Sequence, residues 1–126
     1  MCGGIKYEIS GALTDARNCH CSMCQKLQGG AFRSRASVQS ADFKFTQGAD
    51  LVTYYESSKG THRGFCRVCG SPIHSKFDDH PSVYGLPLGP LDDDPKVKPE
   101  MNIHVASKAP WFEITDTLPQ FSEGTD

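Results

Sequence analysis

The chain has 126 residues, 37% of them apolar, and a formal charge of −2. That length predicts one domain over residues 1–126, and seven Phe, four Tyr and one Trp supply enough core to exclude wholesale disorder. The small net charge, without a dense Lys/Arg run, disfavours nucleic acid as a partner. The lack of a secretory leader and of any apolar window near 20 residues predicts a soluble, cytoplasmic chain without membrane contact.

In chain order, Ile5, Tyr7 and Ile9 alternate with polar residues and read as a half-buried strand. Cys19, Cys21 and Cys24 then fall within six residues, followed by at most a short turn and the small-residue loop Gln28-Gly29-Gly30-Ala31-Phe32. The backbone amides of that loop either approach a substrate oxyanion or make a tight strand entry. Gln47-Gly48-Ala49-Asp50 is a turn, Leu51 to Tyr55 a second strand, and Ser57-Ser58-Lys59-Gly60 another turn. Cys66-Arg67-Val68-Cys69-Gly70 is a zinc-ribbon knuckle, in which Gly70 supplies the left-handed backbone of the tight turn. Ile73 to Phe77 is a strand, Leu86-Pro87-Leu88-Gly89-Pro90 a loop, and Leu91-Asp92-Asp93-Asp94-Pro95 a solvated acidic loop lacking the Gly and Glu of a calcium loop. A last strand covers Ile103 to Val105, and the tail from Phe121 to Asp126 is expected to fray. No long amphipathic helix is present, so the expected class is all-β, with antiparallel strands folded around metal.

Six cysteines allow three disulfides, but a reducing compartment and the tight clustering of three of them favour metal ligation. Cys66 and Cys69 as a thioredoxin-like redox pair would need a βαβ setting that the sequence does not offer. Cys19, Cys21 and Cys24 supply three thiolates where a tetrahedral zinc needs four ligands, and adding Cys66 and Cys69 would overfill the site. Two zinc ions are therefore expected, the first with an open, catalytic position. Three thiolates make zinc a weak Lewis acid for water but a good host for an incoming thiol, whose pKa it lowers. Thiol-dependent carbonyl chemistry follows.

Four stretches together resemble the glutathione-dependent formaldehyde-activating enzyme family, which includes the centromere-protein-V type and shares the Mss4-like fold. They are Cys2-Gly3-Gly4-Ile5-Lys6-Tyr7; Cys19-His20-Cys21-Ser22-Met23-Cys24 with Gly29-Gly30-Ala31-Phe32; Arg63 to Ile73; and Ile103-His104 through Ser107-Lys108-Ala109-Pro110-Trp111-Phe112. The resemblance implies a β-tent around two zinc ions, with Cys19, Cys21 and Cys24 on the catalytic ion and Cys2, Cys66 and Cys69 on the structural one. It implies a carbon–sulfur lyase joining or separating glutathione, or a similar thiol, and formaldehyde. The family's structural site has an N-terminal Cys-x-Cys, of which this chain shows only Cys2; either this sequence begins after the missing ligand, or another group, the α-amino group of Met1 or a water, is expected to complete the shell.

Among other residues, His20 is expected to support the site or pack rather than ligate, and the remaining histidines to be ordinary surface or sheet residues. Trp111 and Phe112 are expected as core, with a pocket wall as the alternative. Arg63, Arg67 and Lys108 either attract the carboxylates of a glutathione-like thiol or keep a sheet edge soluble. Gly29, Gly30, Phe32 and Trp111 are the expected contacts of the thiol. The rival readings are a structural zinc module that binds protein and a redox or zinc sensor whose cysteines oxidise. A homo-oligomer is allowed.

Overall fold

The computed structural model describes residues 1–124. Its strands are β1 (Lys6–Ile9), β2 (Thr14–Cys19), β3 (Arg33–Gln39), β4 (Phe43–Gln47), β5 (Val52–Ser58), β6 (Thr61–Cys66), β7 (Pro72–Phe77), β8 (Val83–Pro87) and β9 (Asn102–Ile103), with one helix, α1 (Ser22–Gln28), between β2 and β3. β1 and β4 form a two-stranded ribbon, and the rest form a sheet in the order β5-β6-β7-β8-β3-β2-β9. The all-β class holds. Among the described residues, parallel pairing is confined to β9, which runs parallel to β2 with Cys19 opposite Ile103 and makes a parallel bridge from Asn102 to Gln120.

Alternation makes the two faces of this sheet chemically distinct. On one face Val38, Tyr84 and Leu86 meet the ribbon's Tyr7, Phe43 and Phe45, with His74 among them, forming the main apolar core. On the other face the paired positions Ser37, Gly85, Ser75, Arg63 and Tyr55 run in a row across five strands. That second face carries Arg17, Cys19, Arg33 and Arg35 as well, through the β2–β3 register.

Several sequence expectations shift. The short turn after Cys24 is instead a two-turn helix that already contains Cys24. Ser22 to Gln28 has no Gly, Pro or β-branched residue, Cys21 caps its start, and Gly29 at φ 67° ends it by donating to the Gln25 carbonyl at 2.8 Å. Leu86 and Pro87, expected in a loop, end β8, where both are fully buried. β9 stops at Ile103, and Val105 opens a 3-10 turn. β2 and β3 carry too few apolar residues to show as strands by alternation. The tail does not fray over Phe121–Gly124: Phe121 donates to the Asn102 carbonyl and His104 to that of Glu123, both at 2.9 Å. Thr125 and Asp126 lie outside the described residues. Among the described residues, no helix is long and apolar enough to cross a membrane.

Candidate metal centres

All six cysteines are free thiols, so the disulfide framework is not formed. They gather into two separate trios, Cys19, Cys21 and Cys24 in one and Cys2, Cys66 and Cys69 in the other, each with sulfurs within 4.8 Å of one another. Tetrahedral zinc with bonds near 2.3 Å spaces its sulfurs by about 3.8 Å. Cys2 and Cys66 Sγ lie 3.8 Å apart. Both donor sets therefore fit zinc in chemistry, and the Cys2–Cys66 pair also fits it in spacing.

In the second trio, Cys66 ends β6 and Gly70, at φ 80°, closes the knuckle by donating to the Cys66 carbonyl at 2.7 Å. Backbone N–H groups of Ser71 and Cys2 lower the Cys69 thiol to about 6. Met1 is exposed and lines the same cavity as Cys2, Cys66 and Cys69. The acidic loop forms another part of that wall, and Asp94 Oδ1 accepts from the backbone N–H of Lys96 at 2.9 Å, as in an ordinary turn.

The first trio is built by a strand-to-helix junction. Cys19 ends β2, Cys21 caps α1, and Cys24 sits buried in its first turn, its N–H donating to Cys21 Sγ at 3.3 Å. The Cys21 thiol is held well below its ordinary value by hydrogen bonds from Cys19 and Cys24, the Cys24 N–H and the charge of Arg63. The Cys19 thiol is pushed up by the same sulfur contacts and by burial. Among the described residues, no fourth His, Cys, Asp or Glu ligand atom joins the trio.

His20 is fully buried between two ligand positions but points away from the sulfurs. Its Nε2 meets Asn102 Oδ1 at 2.9 Å, and Asn102 Nδ2 donates to Asp116 at 3.1 Å. Gln25 ties α1 down by donating to the His20 carbonyl at 2.8 Å. Phe32 packs at 5.1 Å from the His20 ring and 5.4 Å from Phe112. Gly29 and Gly30 have open space where a side chain would stand. Trp111, expected as core, is 71% exposed instead, because Phe112 fills the inward place beside Phe32.

A cavity of about 440 Å³ lies along α1 beside this trio, lined by Met23, Lys26, Leu27, Tyr55, Arg63 and Phe65. Arg63 belongs to both, since its Nη1 comes within 3.9 Å of Cys24 Sγ. Lys108 is tied to the carbonyls of Ala109 and Phe112, and Arg67 is exposed. His62 meets Asp78 at 3.0 Å in a surface cluster with Glu56.

Sequence reasoning missed Arg33 and Arg35. Arg33 is 4% exposed and donates through Nη2 to Ser75 Oγ and the Gly85 carbonyl, while its Nε has no partner. Burial lowers its guanidinium to about 10, opposed by the charge of Cys24, so it stays cationic near neutrality. The available signal was the alternation Arg33-Ser34-Arg35 shortly after the sulfur motif.

Comparison with known proteins agrees with this geometry. The family model for the glutathione-dependent formaldehyde-activating enzyme matches residues 1–107. A Halomonas elongata protein, which bears the provisional name of a glutathione-dependent formaldehyde-activating enzyme, is 23% identical over 120 residues, 90% of this chain and 76% of the relative. The crystal structure of a Rhodobacter sphaeroides protein matches with a TM-score of 0.61 and 28% identity, covering 78% of this chain and 86% of that one. The chain belongs to the glutathione-dependent formaldehyde-activating enzyme family.

Proposed function

We propose that this chain, as a single cytoplasmic domain over residues 1–126, is a zinc-dependent carbon–sulfur lyase that also runs in the joining direction. Its substrate is a thiol–aldehyde adduct such as S-hydroxymethylglutathione. The observation that carries the reading is the Cys19, Cys21 and Cys24 trio, three-sulfur and without a fourth side-chain ligand among the described residues, beside a cavity that Arg63 helps to line. Zinc held there supplies a soft Lewis acid that keeps an incoming thiol ionised near neutral pH. A second zinc on Cys2, Cys66 and Cys69 is structural and joins the N-terminus to the β6–β7 knuckle.

The chain's own residues do the rest. Arg63 and Lys26 attract the carboxylates of a glutathione-like thiol into the cavity, and Met23, Leu27, Tyr55 and Phe65 cover its apolar stem. His20, anchored through Asn102, holds the turn between Cys19 and Cys21 in shape. Gly29 and Gly30 leave room for the substrate backbone next to the helix end, with Phe32 and Trp111 as flanking contacts.

Measuring exchange between formaldehyde and its glutathione adduct by NMR tests this. Zinc-loaded protein should accelerate exchange well above the buffer rate. A fully loaded protein that leaves the rate unchanged overturns the lyase reading.

A further inference from the structure

The sheet face that carries the sulfur trio is crowded with arginine. Arg17 stands opposite Arg35 across β2 and β3, Arg33 stands opposite Cys19, and Arg63 reaches the same face from β6. Three of these cations are committed. Arg33 is fixed by Ser75 and the Gly85 carbonyl with Cys24 in its field, Arg63 donates to Ser57 Oγ at 2.8 Å and reaches Cys24, and Arg17 turns toward Asp15.

Arg35 is different. Its half-buried guanidinium makes no hydrogen bond among the described residues, and only the fields of the Cys19 and Cys24 sulfurs attract it. Gly85 makes room for it: a Cβ there would stand 3.1 Å from Arg35 Nη1 and 3.3 Å from the Phe77 ring. A partly desolvated cation without a hydrogen-bonded anion is costly unless a ligand supplies one.

Charge bookkeeping points the same way. Zinc on three thiolates carries one net negative charge, and a bound substrate thiolate adds a second. Arg33, Arg35 and Arg63 all stand in the field of Cys24, three cations against those two negative charges. One positive charge is left over, and Arg35, two residues along β3 from the position opposite Cys19, is the one of the three without a hydrogen bond. That place suits a short molecule whose anionic group sits one bond from its reactive carbon.

We infer that Arg35 holds the carboxylate of the carbonyl substrate, so that the electrophile is a short oxo acid of the glyoxylate class rather than bare formaldehyde. The inference rests on the carbon–sulfur reading above. In the joining direction the thiolate sulfur adds to the aldehyde carbon and a C–S bond forms. The C=O π pair moves to oxygen, which takes the proton the thiol released. The product is a hemithioacetal, no oxidant or reductant is consumed, and cleavage is the reverse.

The test compares glyoxylate with formaldehyde, each with glutathione, on zinc-loaded protein. Wild type should prefer glyoxylate in kcat/KM by on the order of tenfold, as expected for one charge-assisted contact. R35M should erase that preference, mainly by raising KM for glyoxylate, and R35K should restore part of it. Independently of turnover, the Arg35 Nε–H resonance should shift with glycolate and stay put with ethylene glycol. A preference for formaldehyde with no glycolate response overturns the assignment of Arg35 and leaves the carbon–sulfur reading standing. Inactivity toward both aldehydes with zinc bound overturns both.

Discussion

Arg33 lies directly opposite Cys19 in the β2–β3 pair, so a buried guanidinium and a buried thiol share one face of adjacent central strands. Taking the guanidinium out of water alone is expensive, and the field of the Cys24 sulfur in the same trio offsets part of that cost. The pairing explains why a polar strand such as Arg-Ser-Arg-Ala-Ser-Val-Gln sits in the middle of the sheet.

R33M should therefore weaken zinc retention at Cys19, Cys21 and Cys24 by about tenfold or more, the scale of other residues that support a metal shell. Competition with a chromophoric chelator reads this directly, and the second trio should hold its metal unchanged.

Cys21→Ser removes the sulfur that ionises first in its trio and caps α1. Metal content should fall from about two to about one zinc per chain, with exchange of the glutathione adduct lost. Far-UV circular dichroism should stay close to wild type, because the β1–β4 ribbon and the core around Val38 and Leu86 do not involve this turn. Two zinc ions retained in the variant would remove Cys21 from the ligand set.

His74 sets a pH dependence. Burial, with a smaller push from Lys76, lowers its imidazole from 6.5 to about 4, and the neutral ring takes part in a 2.7 Å hydrogen bond with the Tyr54 hydroxyl. The unfolded chain takes up this proton first as pH falls. Stability is thus fully present above 6.5 and declines through the window down to about 4, by roughly 3 kcal/mol in total. Urea midpoints of wild type and H74Q across that window should converge toward low pH; parallel curves would count against it.

Gly48 at φ 73° leaves no space for a side chain, since a Cβ would come 2.1 Å from the Gly4 carbonyl oxygen. G48A should cost about 2 kcal/mol through strain and the displaced N-terminal segment. Chemical denaturation measures the loss, and the Cys2, Cys66 and Cys69 trio should become easier to strip with chelator because Cys2 rides on that segment.

Much of the site was legible in the residues. Cys19, Cys21 and Cys24 are neighbours in sequence, so their spacing alone reports that they share a turn, and the Cys66–Cys69 knuckle with Gly70 is equally local. Strands with clean alternation, such as Ile5 to Ile9 and Ile73 to Phe77, were legible for the same reason. β2 and β3 were hidden because their inward positions hold arginine, asparagine and cysteine, chosen for the site and not for an apolar pattern. Trp111 was misjudged because aromatic character says nothing about which of two adjacent rings turns inward.

The sequence by itself determined the donor chemistry: which sulfurs lie close enough along the chain to bind one ion, and that one set of three falls short of a closed shell. Tertiary structure alone decided what surrounds them. Cys2 meets Cys66 across a sequence separation of 64, Asn102 reaches His20 across one of 82, and Arg33, Arg35 and Arg63 come to the same face only when β3 and β6 take their places in the sheet. The physical reason is one of range. Backbone geometry carries information over a few residues, whereas the charges that set the reactivity of a metal–thiolate site act through space between strands far apart in sequence.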